Sequence, residues 1–440
     1  MAKRKKRAAA PRSSRKKRAP LKRRTAAKQR TTAKRRPATK RRTGAKRQSA
    51  AKRRTAPRRS SASKRSQSDP RVRGDIMLVG SLPFETVEEG LRAVGSKLGG
   101  DVIAIPDGEI GPRKMWCMFL ATDTYSKHQD LVESRRPSPA VISNEEKPTG
   151  DKKTRPGAAP EYHWTFRVKD GVKRLDFGEL GYAAAARESY ATFCRLRDEG
   201  IIAKGPRFQV SLVATDSGTN VYFDDVTTWP LVHAAYAKAM KAEISKMLAV
   251  IPADDLAIQL DLAWEVVDLS IGDEQYFPWW PQSTLDQKFE RYMTNLVDLA
   301  SGIPEAVPLG LHWCYGTWGG WPMTEMPNLE LCVRLSNAAV ARIPRRVDYV
   351  HMPVVPQPDN AFLAPLRELH IGGTRVFLGL IHPQDGLEGA KRRIALAKEY
   401  LNDFGIAAVC GFGRENPREL GNILELHKAA AGSLATKSSR

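Results

Sequence analysis

Two residues with metal-binding side chains, His312 and Cys314, lie two positions apart in the sequence. They end an apolar run, residues 307–312, that predicts a buried β-strand. Side chains two apart on a strand share a face, so the imidazole and the thiol should point the same way. Another cysteine, Cys410, ends a later apolar run. Imidazole and thiolate are preferred zinc donors, so these residues predict a zinc site, with a core cysteine beside a hydrogen-bonded histidine as the alternative.

The region from residue 74 to residue 432 alternates short apolar runs with segments of helical periodicity. We predict strands over residues 76–80, 102–105, 208–213, 256–261, 307–312, 347–352, 375–380 and 406–410. We predict helices over residues 86–98, 231–250, 285–299, 329–342, 387–404 and 417–428. This alternation is typical of a parallel sheet wrapped by helices. Its length and number of units predict an α/β fold, a single (β/α)8 TIM barrel, in preference to an open doubly wound sheet.

Three further segments complete the expected domain organisation. Residues 126–160 are predicted to be a polar, mobile insertion, because they contain several prolines and lysines and few large apolar residues. A strand over residues 162–168 and a helix over residues 182–199 are expected to follow it. Residues 433–440 are expected to be a flexible C terminus.

Polar and titratable residues gather at or just beyond the carboxyl ends of the predicted strands. They are Ser81, Asp107, Glu109, Asp216, Asp261, His312, Cys314, His351, His382 and Cys410. In a TIM barrel these strand ends meet at one mouth, where active sites are built. Structural residues would instead be distributed along the strands. The pattern therefore favours the metal site over the core-cysteine interpretation.

The charge of the chain is unevenly distributed. Residues 1–70 contain 30 of the 72 Lys and Arg residues and one acidic residue, Asp69, whereas the rest of the chain carries 42 basic and 47 acidic residues. From Thr25 this segment repeats with a period of six, and Leu21 is its only large apolar side chain after Met1. Because the segment has nothing to bury, we predict a disordered Lys/Arg-rich tail.

A basic, disordered tail binds polyanions by neutralising phosphates and releasing counterions, without reading a sequence. We therefore expect non-specific association with nucleic acid, which in a nucleated cell would double as a nuclear import signal. The candidate contacts are Lys34, Arg35, Arg36, Arg41, Arg42, Lys52, Arg53 and Arg54. The alternative is a solubilising tail without a dedicated partner. An organelle transit peptide would need an apolar helical face that this tail lacks.

The cysteine content and the hydropathy of the chain indicate the kind of cellular compartment in which it works. The five cysteines include no Cys-x-x-Cys pair, and no apolar signal segment is found, which indicates a reducing compartment. No run of about 18 apolar residues occurs, so we expect no membrane span. The expected location is the cytoplasm, or a nucleoid or nuclear association through the basic tail.

Five short motifs occur in order along residues 74–432. They are Val79-Gly80-Ser81-Leu82-Pro83, Gly108-Glu109 with Arg113, Ile258-Gln259-Leu260-Asp261, His312-Trp313-Cys314-Tyr315 and Cys410-Gly411. Together they resemble the catalytic barrel of cobalamin-independent methionine synthase, within the superfamily that includes uroporphyrinogen decarboxylase. The resemblance implies Zn²⁺ held by the last two motifs. It also implies a homocysteine-like substrate contacted by Ser81, Glu109 and Asp261, and Asp107 is a further candidate contact.

The chain departs from the family pattern at several points. The family's remaining zinc ligand is a glutamate at the end of strand six, and His351 stands there, either as a ligand or as part of the pocket lining. Val409 replaces the aspartate of an Asp-Cys-Gly motif, and Leu262 replaces a glutamate after Asp261. The amino-terminal half-barrel of full-length plant and bacterial enzymes, which helps to hold folate, is replaced by the basic tail.

The resemblance implies an enzyme, a zinc-dependent S-methyl- or S-alkyltransferase that takes a small thiol and a methyl or alkyl donor, as in methionine biosynthesis. A zinc-free decarboxylase or lyase of the same superfamily is one alternative. A non-enzymatic, nucleic-acid-associated protein acting through its tail is another. His382 is the candidate for handling a proton, or else a hydrogen-bonded wall histidine. Glu109 and Asp261 either orient the substrate or have a structural role, in helix capping or in an ion pair with Arg113.

An aromatic cluster is predicted on loops over the same mouth. Its members are Tyr276, Phe277, Trp279, Trp280, Trp318 and Trp321. Such rings can close on a flat or methylated electrophile by stacking or cation–π contact. Simple packing of the loops is the alternative.

Overall fold

The computed structural model describes residues 74–143, 145–147, 149 and 160–434. The predicted basic tail, with its candidate contacts Lys34, Arg35, Arg36, Arg41, Arg42, Lys52, Arg53 and Arg54, lies outside the described residues. So do residues 435–440 of the predicted flexible C terminus. Among the described helices, none combines the length and the hydropathy that a membrane span requires.

The strands of the described residues fall into two sheets. They are β1 Ala104–Pro106, β2 Leu131–Arg135, β3 Thr165–Val168, β4 Arg207–Val213, β5 Leu256–Leu262, β6 Leu309–Trp313, β7 Tyr349–Pro353, β8 Arg375–Ile381 and β9 Gly405–Ala408. Seven of them form a parallel sheet in the order β1-β4-β5-β6-β7-β8-β9, and β2 pairs with β3 in an antiparallel ribbon. Each strand of the large sheet corresponds to one of the predicted apolar runs.

The segment around Ile76 closes the parallel sheet into a barrel. Ile76 bridges Val102, just before β1, and Ile406 on β9. The Met77 N–H donates to the Ile406 carbonyl at 3.0 Å, and the Ile103 N–H donates to the Ile76 carbonyl at 3.0 Å. The predicted TIM barrel is therefore confirmed, and its first strand position is held by these few contacts instead of a regular ladder.

Helices surround the barrel. They are α1 Val87–Leu98, α2 Pro139–Ile142, α3 Tyr182–Asp198, α4 Thr215–Thr219, α5 Trp229–Leu248, α6 Trp264–Ser270, α7 Leu285–Ala300, α8 Glu330–Arg342, α9 Asn360–Leu363, α10 Gly386–Ala397 and α11 Pro417–Gly432. The starts of α1 and α7 follow from their sequences, since Thr86 with Glu89 and Thr284 with Gln287 each form a capping box. Their buried faces pack on the outside of the strands, which explains why the strands read as continuous apolar runs.

The barrel interior is filled by a separate apolar cluster. Its members are Met77, Val79, Ile103, Ala104, Ala257, Tyr349, Phe377 and Ala407. The Tyr349 ring fits because β6 carries a glycine beside it. A Cβ on Gly310 would lie 2.0 Å from Tyr349 Cζ. Small residues thus face large ones across the interior, as close packing of a barrel requires.

Part of the region predicted as a polar insertion is ordered. Strand β2 pairs antiparallel with β3, and the hydroxyls of Ser134 and Thr165 lie 2.9 Å apart across the ribbon. Trp164 Nε1 donates to the Glu133 carboxylate at 2.7 Å. Tyr162, His163 and Trp164, which directly precede β3, line the pocket at the mouth of the barrel.

Candidate metal centre and active site

Three of the sequence-predicted ligands converge at the mouth of the barrel. Donor atoms of His312, Cys314 and Cys410 all lie within 4.8 Å of one another. The two Sγ atoms are 3.8 Å apart. His312 belongs to β6, Cys314 directly follows it, and Cys410 lies two residues beyond β9, with β7 and β8 between the two strands. Closure of the barrel therefore brings these donors together.

The structure places His351 beside His312 and outside this convergent group. Parallel pairing aligns Asp261 with His312 and His312 with His351 on neighbouring strands, so all three belong to one layer. The Nδ1 atoms of the two histidines lie 2.7 Å apart. Within the described part of the chain, His312 Nε2 is buried and has no hydrogen-bond partner. That nitrogen is therefore the one available for an ion.

The two thiols at the mouth differ in acidity because they share a hydrogen bond. That bond lowers the pKa of Cys410 well below its usual range, although burial opposes the shift. The same bond, together with burial, raises the pKa of Cys314 well above its usual range. One of the two thiols therefore ionises readily, and a nearby cation would favour ionisation of the other.

The donor set fits a zinc ion. It offers two sulfur atoms and one imidazole nitrogen, the soft donors that zinc prefers. The orphaned His312 Nε2 and the closely spaced sulfur atoms are also what a site with a bound cation would present. Cys410 is half-buried, so the group faces the pocket from one side.

Two buried carboxyl groups, Glu109 and Asp261, line the same pocket. Burial and the neighbouring Asp261 charge raise the pKa of Glu109 well above its usual range. Burial raises the pKa of Asp261 to about 6, although His312 and a hydrogen bond from Gln259 oppose the shift. Both groups are destabilised as anions in this pocket. A cationic ligand placed between them would therefore be stabilised.

Asp261 is held by a polar layer below the pocket. Gln259 Nε2 donates to Asp261 Oδ1 at 2.8 Å and to the Val79 carbonyl at 2.6 Å. Ser211 Oγ also donates to the Val79 carbonyl, at 3.2 Å. The irregular first strand leaves this carbonyl without a ladder partner, so interior side chains satisfy it. Gln259, the glutamine of the Ile-Gln-Leu-Asp motif, therefore links the segment of Val79, next to where the barrel closes, to Asp261 in the pocket.

Asp107 supports the Glu109 loop and does not line the pocket. The Glu109 N–H donates to Asp107 Oδ1 at 3.1 Å, and Arg113 Nη2 donates to Asp107 Oδ2 at 2.6 Å. Glu109 itself has a φ of 51°, and a Cβ on Gly80 would lie 2.3 Å from its Oε1. Arg113, the ion-pair partner of Glu109 or Asp261 in the alternative interpretation, pairs with Asp107 instead and leaves Glu109 facing the pocket.

Ser81 lines the pocket and contacts the loop that carries Cys410. The Gly413 N–H donates to Ser81 Oγ at 3.1 Å, and the Phe412 N–H donates to the Ser81 carbonyl at 2.7 Å. A Cβ on Gly411 would lie 2.3 Å from Ser81 Oγ, so this close approach requires glycine. Ser81 thus fixes the position of the third ligand loop as well as facing any substrate.

His382 lies outside the set of residues that line the pocket. Its Nε2–H donates to the Val354 carbonyl at 2.8 Å, and its ring lies 5.7 Å from Trp321. Burial, followed by the charge of Arg393, lowers its pKa to about 4. This arrangement matches the hydrogen-bonded histidine of the alternative, although His382 lies behind the pocket wall and is not part of it.

Aromatic residues form much of the pocket wall. They include Trp116, Trp164, Tyr222, Trp264 and Trp318. Of these only Trp318 belongs to the cluster expected from the sequence. Phe277 and Trp280 of that cluster are fully buried behind Trp264, at ring distances of 5.3 and 6.4 Å. The position of the ligands at strand ends would also have pointed to Trp264, two residues beyond β5, whereas Trp116 and Tyr222 lie ten and nine residues beyond β1 and β4 and depend on how those loops fold.

A contact between loops joins the two cysteine-bearing segments. Arg414, four residues after Cys410, donates to the hydroxyl of Thr317, three residues after Cys314. Both residues line the pocket. Neither was singled out for this role from the sequence, since the contact depends on how the two loops meet.

Comparison with protein-family models and with curated protein sequences finds no match. Among solved structures, a B12-independent methionine synthase from Shewanella sp. W3-18-1, in complex with selenomethionine, aligns with a TM-score of 0.52 and 14% identity. The alignment covers 81% of this chain and 96% of that chain. A methyltransferase from Methanosarcina mazei aligns with a TM-score of 0.38 and 14% identity, over 81% of this chain and 94% of that chain. The likeness to the Shewanella structure shows that the described part of this chain has the barrel fold of a B12-independent methionine synthase, as the five motifs predicted.

Proposed function

We propose that the chain is a zinc-dependent S-methyl- or S-alkyltransferase acting on a small thiol that carries an amino group, as homocysteine does. The observation that carries the proposal is the convergence of His312, Cys314 and Cys410 at the mouth of the barrel, next to two buried carboxyl groups. The fold shared with a methionine synthase structure supports the same kind of reaction.

His312, Cys314 and Cys410 would hold the ion. Bound there, zinc supplies Lewis-acid chemistry that keeps a substrate thiol in its nucleophilic thiolate form at neutral pH. The protein contributes two negative charges to such a site, one from each cysteine. The half-buried position of Cys410 leaves the group open toward the pocket, which gives a thiol access to it.

Glu109 and Asp261 would bind the substrate's ammonium group. Both carboxyl groups are buried, and the Asp261 charge also disfavours ionisation of Glu109, so a cation between them would favour the ionised form of each. Ser81 lies on the same pocket wall and offers its hydroxyl to the polar end of the substrate. These groups orient the thiol without taking part in the bond that forms.

The aromatic wall would bind the alkyl donor and exclude water. Trp116, Trp264 and Trp318 present flat apolar surfaces to the pocket that contains the sulfur atoms. Such surfaces suit a flat or alkylated donor by stacking. Exclusion of water protects a thiolate from solvation, which would lower its reactivity.

Calorimetric titration with matched ligands tests this proposal. Homocysteine should bind the zinc-loaded full chain, while homoserine, which has a hydroxyl in place of the thiol, should bind far more weakly. Removal of zinc with a chelator should abolish that difference. Cys314→Ser should behave like the chelated protein, and Cys194→Ser, on the outer helix α3, should behave like the wild type. Equal affinity for both ligands in the loaded protein would reject thiol activation.

The same zinc-loaded and zinc-free protein also distinguishes the transferase from two alternative functions. A decarboxylase or lyase that works without zinc predicts turnover in the metal-free protein. A protein that acts through its basic tail alone predicts no specific binding of either ligand. A product carrying a new sulfur–carbon bond, seen by mass spectrometry with an alkyl donor, would support the transferase over both.

A further inference from the structure

The family resemblance makes position 351 a zinc-ligand position, occupied here by histidine in place of glutamate. His351 is fully buried in the middle of β7, between Val350 and Met352. Strand pairing aligns it with His312 on β6, and the two rings lie 4.8 Å apart. Its donor atoms are not part of the group formed by His312, Cys314 and Cys410 among the described residues. Its closest polar contact is another histidine.

We propose, on the basis of the proposed zinc function, that His351 positions His312 and does not ligate the ion. In this role His351 accepts a hydrogen bond from Nδ1–H of His312. The protein then supplies three ligands, two sulfur atoms and one imidazole nitrogen, and one coordination position stays available for the thiol. Catalytic zinc sites typically keep such an open position, whereas structural sites are closed by four protein ligands.

The distance between the two rings indicates a hydrogen bond between His312 and His351. Nδ1 of His312 and Nδ1 of His351 lie 2.7 Å apart, which is a hydrogen-bond distance. A neutral imidazole has one N–H and one lone pair, so one of these nitrogens donates and the other accepts. If His312 donates through Nδ1, its Nε2 carries the lone pair that an ion needs. If His351 donates, His312 Nε2 carries a proton and is blocked.

The proposed ion sets the direction. Among the described residues, the Nε2 atoms of both rings are buried without a hydrogen-bond partner. A ligand nitrogen must carry a lone pair, so His312 keeps its proton on Nδ1 and donates it to His351 Nδ1. His351 then carries its own proton on Nε2, on the side of the ring away from His312.

This arrangement also explains why a histidine suits the position. A ligating histidine usually donates its second N–H to an acceptor that fixes its orientation and tautomer. In this chain the acceptor comes from the neighbouring strand of the same layer. Tyr349, two residues earlier on β7, points to the same face of the strand and belongs to the cluster that fills the interior below.

The test counts the ligands of the zinc-loaded full chain by X-ray absorption. We expect two sulfur atoms and one imidazole per zinc in the wild type, and the same count in His351→Gln and His351→Leu. Affinity, measured by competition with a chromophoric chelator, should fall about 10- to 100-fold in His351→Leu, which lacks an acceptor. His351→Gln keeps an acceptor oxygen and should stay within a few-fold of the wild type. His312→Gln should lose more than either.

Two imidazoles per zinc in the wild type, with one lost in His351→Gln, would overturn the inference while leaving the zinc function intact. A chain that binds no zinc would instead reject the proposed function. Long-range ¹⁵N–¹H correlation spectra of the histidine-labelled, zinc-loaded chain check the direction of the hydrogen bond. They should show the shared proton on Nδ1 of His312, and a proton on Nδ1 of His351 would contradict the inference.

Discussion

The sulfur atoms of Cys314 and Cys410 lie 3.8 Å apart although 96 residues separate them in the sequence. The strands that precede the two cysteines, β6 and β9, are not neighbours in the sheet, because β7 and β8 lie between them. The contact therefore depends on the barrel being closed. It links the fold directly to the proposed chemistry, since an open sheet would leave the two thiols on separate loops.

Asp261 should contribute to binding through the substrate's amino group. Asp261→Asn removes a buried negative charge from the pocket and should weaken binding of an amino-acid thiol by about 10- to 100-fold, the effect of losing a charged hydrogen bond. A matched thiol without the amino group should bind the variant and the wild type alike. Calorimetric titration measures both. Asp254→Asn, at the exposed amino end of β5, serves as the control. Equal losses for both thiols would contradict this role.

Gly310 should be required for the barrel interior. A Cβ there would lie 2.0 Å from Tyr349 Cζ, so Gly310→Ala must displace a buried ring. We expect a loss of about 1–3 kcal/mol in the free energy of unfolding, measured with denaturant. Gly421→Ala is the matched control, because the α11 glycine has no atom within 4 Å of an added Cβ and helices prefer alanine. A Gly310→Ala protein as stable as the control would show that the ring is not constrained there.

His427 should make the free energy of unfolding depend on pH in the acidic range. Burial lowers its pKa to about 4 in the folded chain, below the unfolded value of 6.5. The folded state thus favours the neutral ring, and its contribution is complete above pH 6.5 and is lost as the pH falls toward 4. Between pH 7.5 and pH 5 the loss should be about 2 kcal/mol. His427→Leu should remove that part of the change in unfolding free energy, and an unchanged pH slope would contradict the assignment.

The basic tail stays a prediction about polyanion binding. Deleting residues 1–70 removes 30 basic side chains. The full chain should bind duplex DNA with an affinity that falls steeply as salt rises, because each neutralised phosphate releases counterions. The deleted chain should lose this binding at every salt concentration. Fluorescence anisotropy with a short labelled duplex measures both, and equal binding by the two proteins would move the interaction elsewhere.

Much of the fold was predictable from the sequence because parallel strands buried on both faces have a strong apolar signal. The runs ending at His312 and Cys410 were assigned to β6 and β9, and their position at one mouth followed from the barrel. The pairing of His351 with His312 was not predictable. It depends on strand register and ring orientation, which a one-dimensional pattern does not determine.

The partners of the acidic residues were also beyond the sequence pattern. Asp107 and Glu109 both follow β1, so the sequence pattern predicts the same role, contact with the substrate, for both. The structure separates them, since Arg113 pairs with Asp107 and Glu109 turns into the pocket at a positive φ. Strand β3 lies within the predicted strand over residues 162–168, whereas β2 was missed because it is short and polar and its ordering depends on pairing with β3.

The zinc content of the purified full chain tests the central claim most directly. Elemental analysis should find one zinc per chain, and Cys314→Ser and Cys410→Ser should each lose it while Cys194→Ser keeps it. These outcomes follow from the three donors that lie within 4.8 Å of one another. A correctly folded, catalytically active preparation without zinc, or zinc that persists in both serine variants, would contradict the account.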